Sequence, residues 1–231
     1  MSRIILKLSG EALAGDKHRG FDLPTIQMVA GQVRQLVENG EDVGIVIGGG
    51  NFWRGRTGNE IDRTKSDQIG MLATVMNCIY VSEVFRSEGM ETAVMTPFQV
   101  GAFTELFSKD RANECFRQHK VVFFAGGTGH PYFSTDTGIL LRAIEMDADV
   151  ILMAKNIDGI YDSDPAKNPE AVRYDTLSID EVIAGNLQAL DMTASILARD
   201  NRMPMRVFAL QEENSIVKAA SGSFNGTTIT V

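Results

Sequence analysis

Thiols are nearly absent from this chain: among 231 residues there are two cysteines, Cys78 and Cys115, and neither sits in a CxxC pair. A disulfide-stapled scaffold is thereby excluded, and two buried free thiols in a reducing compartment are expected. Histidine is almost as scarce. His18, His119 and His130 lie far from one another and from the cysteines, so no zinc-ligand spacing arises. No GxSxG elbow is present, which removes the usual support for a hydrolase triad. Basic charge is in deficit, with 22 Lys and Arg against 30 Asp and Glu for a net charge of −8, and broad nucleic-acid binding needs the opposite balance. Long apolar runs are missing as well: Val121–Ala125 is typical, far short of the roughly 20 residues that cross a bilayer. The opening Met1–Lys7 lacks the long apolar region of a secretory signal, so a cytoplasmic protein without membrane attachment is expected. No repeat, low-complexity tract or long linker interrupts the chain.

The 44% of hydrophobic residues is enough for a sizeable core. Short runs rich in Val, Ile, Leu and Phe predict strands over Arg3–Leu8, Val43–Ile47, Thr92–Thr96, Val121–Ala125, Val150–Ala154 and Arg206–Leu210, with Thr227–Val231 as an edge. Between them, apolar residues at helical spacing follow Asp22 and stop at Gly40, and Lys65–Ser87 is long enough to span a domain. Ser108 is placed to cap a helix running to His119, Ser178–Glu181 has capping-box spacing, and Asp191 is placed to cap a helix reaching Asn201. The polar segment Asp162–Asp175 is expected to form a surface loop over a site. This alternation predicts a mostly parallel sheet with helices on both faces.

Ligands of open parallel sheets bind beyond the carboxyl ends of the strands. Three such ends carry glycine clusters: Lys7–Leu13, which contains Gly10; Gly48–Gly55, with Arg54; and Gly126–Pro131. Any one of them could be no more than a tight turn. Together they suit an anion cradle, because glycine lets successive backbone N–H groups close around phosphate oxygens. The familiar phosphate motifs do not fit. Asp16-Lys17 follows Gly10 and Gly15 where a P-loop needs Lys-Ser/Thr, and Trp53 and Tyr132 replace the last glycine of two GxGxxG patterns.

Charged residues beside these clusters have two readings each. Lys7, inside an apolar strand, either snorkels to solvent or neutralises a transferring phosphoryl group. Arg54 and Asp67 are surface charges or an acceptor clamp, Arg54 gripping phosphate and Asp67 accepting from hydroxyls. Thr135-Asp136-Thr137 opens a helix, where Asp136 can cap and also orient lysines or metal. Lys155–Pro165 carries lysine, an aromatic ring and carboxylates in a pattern that suits a nucleotide better than a plain acidic turn.

Lys7–Leu13, Gly48–Asn51 with Arg54, Asp67–Thr74, Gly126–Gly129, Thr135-Asp136, Asp158–Tyr161 and Met203–Phe208 run in order along nearly the whole chain. In this arrangement the sequence resembles the bacterial uridylate (UMP) kinases of the amino-acid-kinase superfamily. The resemblance implies a three-layer α/β/α sandwich with a mostly parallel sheet of about eight strands. It implies a single domain over 1–231, with an acceptor lobe over about 1–145 and an ATP lobe over about 146–231. It implies transfer of the ATP γ-phosphate to UMP, giving ADP and UDP, with Mg2+ carried by the nucleotide and not by a protein metal site. By the same resemblance Lys7, Asp136 and Asp191 are catalytic. Lys7, Leu8, Ser9, Gly10, Gly50, Arg54, Lys155, Asn156, Tyr161 and Asp164 serve ATP, the register around Lys155-Asn156 varying between branches. Gly49, Asp67, Thr128, Gly129, His130, Pro131, Tyr132, Phe133, Ser134 and Thr135 hold UMP, with His130 standing where asparagine is common. The family pattern also implies a homohexamer activated by GTP and inhibited by UTP. Two rivals stand beside this reading: a superfamily relative with a carboxylate or other phosphate as acceptor, and a non-catalytic nucleotide- or anion-binding assembly.

Overall fold

In the computed structural model, which describes residues 2–17, 19–53, 61–185, 187 and 190–231, the apolar runs become strands and the amphipathic segments pack over them. The order is β1 (Arg3–Leu8), α1 (Gly10–Ala14), α2 (Leu23–Glu38), β2 (Asp42–Ile47), α3 (Arg63–Ser87), β3 (Thr92–Thr96), β4 (Glu105–Leu106), α4 (Lys109–Arg117), β5 (Val121–Phe124) and α5 (Thr135–Glu145). Then follow β6 (Val150–Lys155), β7 (Ile160–Tyr161), β8 (Arg173–Tyr174), β9 (Thr176–Ser178), α6 (Ile179–Ala184), α7 (Met192–Asp200), β10 (Met205–Ala209), α8 (Ser215–Ser221) and β11 (Gly226–Thr230). Among the described residues the main sheet has nine strands in the order β4-β3-β5-β2-β1-β6-β10-β11-β9. Every pairing in it is parallel except β10 with β11.

Strand alternation sorts the core into two layers. Ile4, Leu6 and Leu8 pack against Leu13 of α1, Ile26 and Val33 of α2, Cys78 and Phe85 of α3 and Ile216 of α8. Ile5 faces the other way, toward Cys115 of α4, Ile139 and Leu140 of α5, Val182 of α6 and Ala198 of α7. Lys7 follows Ile5 on that second face. It therefore meets α5 where the helix begins.

Helix starts follow capping chemistry. Asp22, Asp62, Ser108, Ser134, Ser178 and Asp191 each accept from a backbone N–H of the first turn, and Ser178 forms a full capping box with Glu181. Ser134 thus takes the cap of α5 and leaves the Asp136 carboxylate to pair with Lys7, where the sequence also allowed Asp136 to be the cap. The α4 helix stops at Arg117, short of His119, because His119 turns left-handed (φ 56°) and the N–H of Lys120 closes back on Cys115.

The sheet exceeds the expected eight strands because β4 and β9, two and three residues long, are too short to show a pattern in sequence. Strand β11 is not an edge, since β9 lies outside it. The segment 162–175 is not loop throughout: β8 returns to pair antiparallel with β7. One further expectation changes. The α3 helix is by itself long and apolar enough to cross a membrane, but its Val75, Cys78, Val81 and Phe85 face is packed into the core.

Candidate active site

Strand β1 lies between β2 and β6, so its carboxyl end is where the chain leaves toward opposite sides of the sheet. That is the place where an open parallel sheet offers a crevice. The glycine loops meet there. Gly48 N donates to the carbonyl of Leu8 (3.0 Å). A Cβ on Gly10 would stand 2.5 Å from the carbonyl oxygen of Gly48, and one on Gly48 would stand 3.8 Å from Thr135 Oγ1 at the start of α5. A Cβ on Gly138, one turn into α5, would meet the Cα of Gly127 at 3.3 Å, which seats the third loop on the same helix. Among the described residues, the backbone N–H groups of Gly49, Gly50, Gly127 and Thr128 donate to no other group of the protein.

Lys7 reaches into this junction. Its ammonium lies on the Asp136 carboxylate, and the two side chains are 13% and 19% exposed, so Lys7 does not snorkel to solvent. Lys155, at the end of neighbouring β6, completes a group of two cations around one carboxylate. Burial holds the Lys155 ammonium below the ordinary lysine value; Asp136 opposes that shift and Lys7 adds to it. Two lysines that feel each other's charge around one carboxylate leave a local excess of positive charge that an incoming polyphosphate would relieve.

Two clefts flank the junction. On the β2 and β5 side, a cleft of about 150 Å3 is lined by Gly49, Asp67, Thr128, His130, Phe133, Ser134 and Thr135, all expected on the acceptor side. Trp53, Ser66, Gly70, Met71, Thr74 and Gly127 line it too and were not assigned in advance. Their signal was present. Trp53 is the chain's one tryptophan and lies three residues after the triple glycine, while Gly70 and Thr74 share a helical face with Asp67. Trp53 Nε1 donates to Ser66 Oγ (3.0 Å), fixing the indole as a wall. Asp67 Oδ2 accepts from the N–H of Tyr132 (2.8 Å), tying α3 to the third loop. The other expected residues support this wall instead of lining it. Gly129 packs on Pro97, Tyr132 exposes its ring under the Arg63 guanidinium, and Pro131 also lies outside the lining.

On the β6 side, a larger cleft of about 420 Å3 is lined by Lys155, Ile157, Gly159, Tyr161, Asp164 and Lys167, among others. Tyr161 donates to Asp158 (2.7 Å), which also accepts from Arg173 (2.6 Å), so the ring is held by the hairpin. These contacts hold the Asp158 carboxyl below its ordinary value against the opposing effect of burial. Asp164 closes a turn through the N–H of Ala166 (3.0 Å). Asn156 is exposed and not part of the lining.

Three expected site residues, the ATP ligands Leu8 and Ser9 and the catalytic candidate Asp191, have structural duties. Leu8 buries its side chain in the core, and its carbonyl is taken by Gly48. Ser9 Oγ accepts from Ala12 N (3.0 Å) as the cap of α1 and keeps its own O–H to donate. Asp191 accepts from Ser134 Oγ, from Thr137 Oγ1 (3.1 Å) and from Ala194 N (2.9 Å), which makes it the brace between α5 and α7. Gly50 lies against Glu11. Arg54 lies outside the described residues.

This chain is similar to known proteins over its length. Residues 2–209 match the model of the amino acid kinase family. A uridylate kinase of Rickettsia bellii (strain RML369-C) is 43% identical over 229 residues, 98% of this chain and 96% of that protein. The crystal structure of UMP kinase from Bacillus anthracis matches with a TM-score of 0.94 at 37% identity, over 99% of this chain and 96% of the other. UMP kinase from Ureaplasma parvum matches with a TM-score of 0.94 at 32% identity, over 100% and 99% of the two chains.

Proposed function

The chain belongs to the amino acid kinase family, and from that premise we propose that it transfers the γ-phosphoryl group of ATP to UMP. The observation that carries the reading is the partly buried Lys7–Asp136 pair, with Lys155 beside it, at the meeting point of two clefts. An oxygen of the UMP phosphate attacks the γ-phosphorus, the bond to the β,γ-bridging oxygen breaks, and ADP leaves. The attacking oxygen is already anionic, so no general base is required. What the reaction needs is alignment and charge neutralisation.

In this reading UMP occupies the cleft of Asp67, Thr128 and Phe133, within the acceptor lobe over about 1–145. ATP lies against Lys155, Tyr161 and Asp164, within the lobe over about 146–231. Lys7 stabilises the transferring group, Asp136 orients Lys7, and Asp191 braces the start of α5. The N–H groups of Gly10, Gly49 and Gly50 supply neutral donors to the phosphates. Among the described residues no three acidic, histidine or cysteine side chains gather into a metal cage. Lysines, amides and one carboxylate suit a Mg2+ ion that arrives on the phosphates of ATP, where it would neutralise their charge.

The same reading extends to assembly and control. The outward face of α3 leaves Leu72, Met76, Ile79 and Tyr80 exposed beside Phe103, an apolar surface that suits a homo-oligomer, a hexamer in the family pattern. GTP activation, UTP inhibition and a cytoplasmic location belong to the same proposal.

A coupled assay of ADP release from ATP and Mg2+ with UMP, CMP, AMP, GMP and glutamate tests the function. The highest kcat/KM is expected with UMP. Absence of UMP-dependent ADP release overturns the reading in favour of a different acceptor or of binding alone.

A further inference from the structure

Two asparagines are sealed inside the molecule beneath the triple-glycine turn. Asn51 is 1% exposed and Asn77, in the middle of α3, is 0% exposed. They face each other as a closed amide pair: Asn77 Nδ2 donates to Asn51 Oδ1 (2.7 Å) and Asn51 Nδ2 donates to Asn77 Oδ1 (3.1 Å). Each amide has one N–H left. That of Asn51 goes to the carbonyl of Gly20 (2.8 Å) and that of Asn77 to the carbonyl of Gly48 (2.7 Å). Turning either amide over would set oxygen against oxygen and nitrogen against nitrogen, so the pair has one orientation.

The bond to Gly48 has a consequence for the site. In a planar trans peptide the carbonyl and the following N–H point in opposite directions. Asn77 holds the Gly48 carbonyl against the buried part of α3 beneath the cleft, whose lining includes neither Gly48 nor Asn77. The N–H of Gly49 then faces the cleft that Gly49 lines. The first loop is locked by the same atoms, since a Cβ on Gly10 would fall 2.4 Å from Asn51 Oδ1. A polar side chain in the buried middle of a helix is a poor choice for packing alone; a leucine would fill the volume without needing four matched hydrogen bonds.

We propose that Asn77, oriented by Asn51, is a positioning residue that aims the Gly49 amide at the phosphoryl group in transfer. The inference rests on the phosphoryl-transfer reading above for what the amide meets, but not for where the amide points. Neither asparagine touches a nucleotide; both act through the peptide that does.

The test uses Asn77→Ser, which removes the donor to Gly48 and leaves room for water, and Asn51→Ser, which removes the group that orients it. Kinetics with ATP and UMP are measured well below the melting temperature of each variant. The expected result is a kcat lowered at least about 10-fold with both KM values within about 3-fold, the signature of a donor used mainly in the transition state. Glycine-selective 15N labelling reads the amide directly: adding inorganic pyrophosphate shifts the Gly49 resonance in the wild-type chain and not in Asn77→Ser. Should Asn77→Ser fail to fold, Asn51→Ser decides both readouts. A variant that melts earlier yet keeps kcat within about 2-fold and retains the Gly49 shift overturns the proposal. A wild-type chain that leaves UMP untouched overturns only the transfer reading, because the pyrophosphate shift still decides where the amide points.

Discussion

Lys7 carries the largest share of the proposed chemistry, and its surroundings explain why a lysine can stand in an apolar strand. The Asp136 carboxylate takes the place of the water that partial burial removes and holds the ammonium at a site where phosphate oxygens would converge. Removing either member is expected to lower kcat by at least about 100-fold, the scale of losing one charge contact in a transition state. Lys7→Ala and Asp136→Ala, assayed with ATP and UMP, check this, and near-normal rates in both would remove them from the mechanism. Lys155 makes a different prediction. Its folded-state value lies below the ordinary 10.5. Between those two values the unfolded chain keeps a proton that the folded protein has released, so this residue adds stability as pH rises through the interval. The melting temperature of the wild-type chain, relative to Lys155→Met, is expected to climb as pH approaches 10.5 without nucleotide. Saturating ATP should flatten the difference, since its phosphates add negative charge beside the ammonium. Two parallel pH curves without nucleotide would contradict the placement of Lys155.

Two helices do most of the positioning. Along one face of α3, Asp67 holds the third loop at Tyr132, Thr74 accepts from Gly126 N (2.8 Å), and Asn77 holds Gly48. The opposite face is apolar and exposed, so one element links a candidate assembly surface to the acceptor cleft. The α5 helix contributes Asp136 at its start and a less comfortable residue further on. Arg142 is nearly buried, stacks over the Phe107 ring at 4.0 Å and lies 3.0 Å from Glu145, yet its Nε and Nη1 find no hydrogen bond. Burial lowers its basicity, opposed by Glu145. Arg142→Met should therefore leave the melting temperature unchanged or raise it, because Glu145 can reach water once its partner is gone. A loss beyond about 2 kcal/mol in denaturant unfolding would show that the stacked guanidinium is a net stabiliser.

Across the whole molecule, what was legible in sequence was whatever local chemistry determines. Continuous Val and Ile runs marked the central strands, and Asp22, Ser108, Ser178 and Asp191 marked helix starts through capping. Lys7 stood out because a charge interrupts an apolar strand. Less legible were features decided at a distance. The strands β4 and β9 exist because longer neighbours offer them an edge, and β8 because β7 precedes it in a hairpin. Trp53, Ser66 and Thr74 join the acceptor wall only once α3 is laid across the second and third loops. Leu8 belonged to the phosphate motif by position, but strand alternation turns its side chain into the core. Asn51 and Asn77 are 26 residues apart and give no hint of their pairing until both are buried.

The central claim is spatial: two nucleotides meet across Lys7 with their phosphates in line. A crystal structure with UMP and a non-hydrolysable ATP analogue tests it directly. The account predicts the Lys7 ammonium within hydrogen-bonding distance of the γ-phosphate, UMP against Asp67 and Phe133, and the Gly49 amide turned toward the transferring group. Nucleotides seated on separate surfaces, with Lys7 contacting only Asp136, would contradict it.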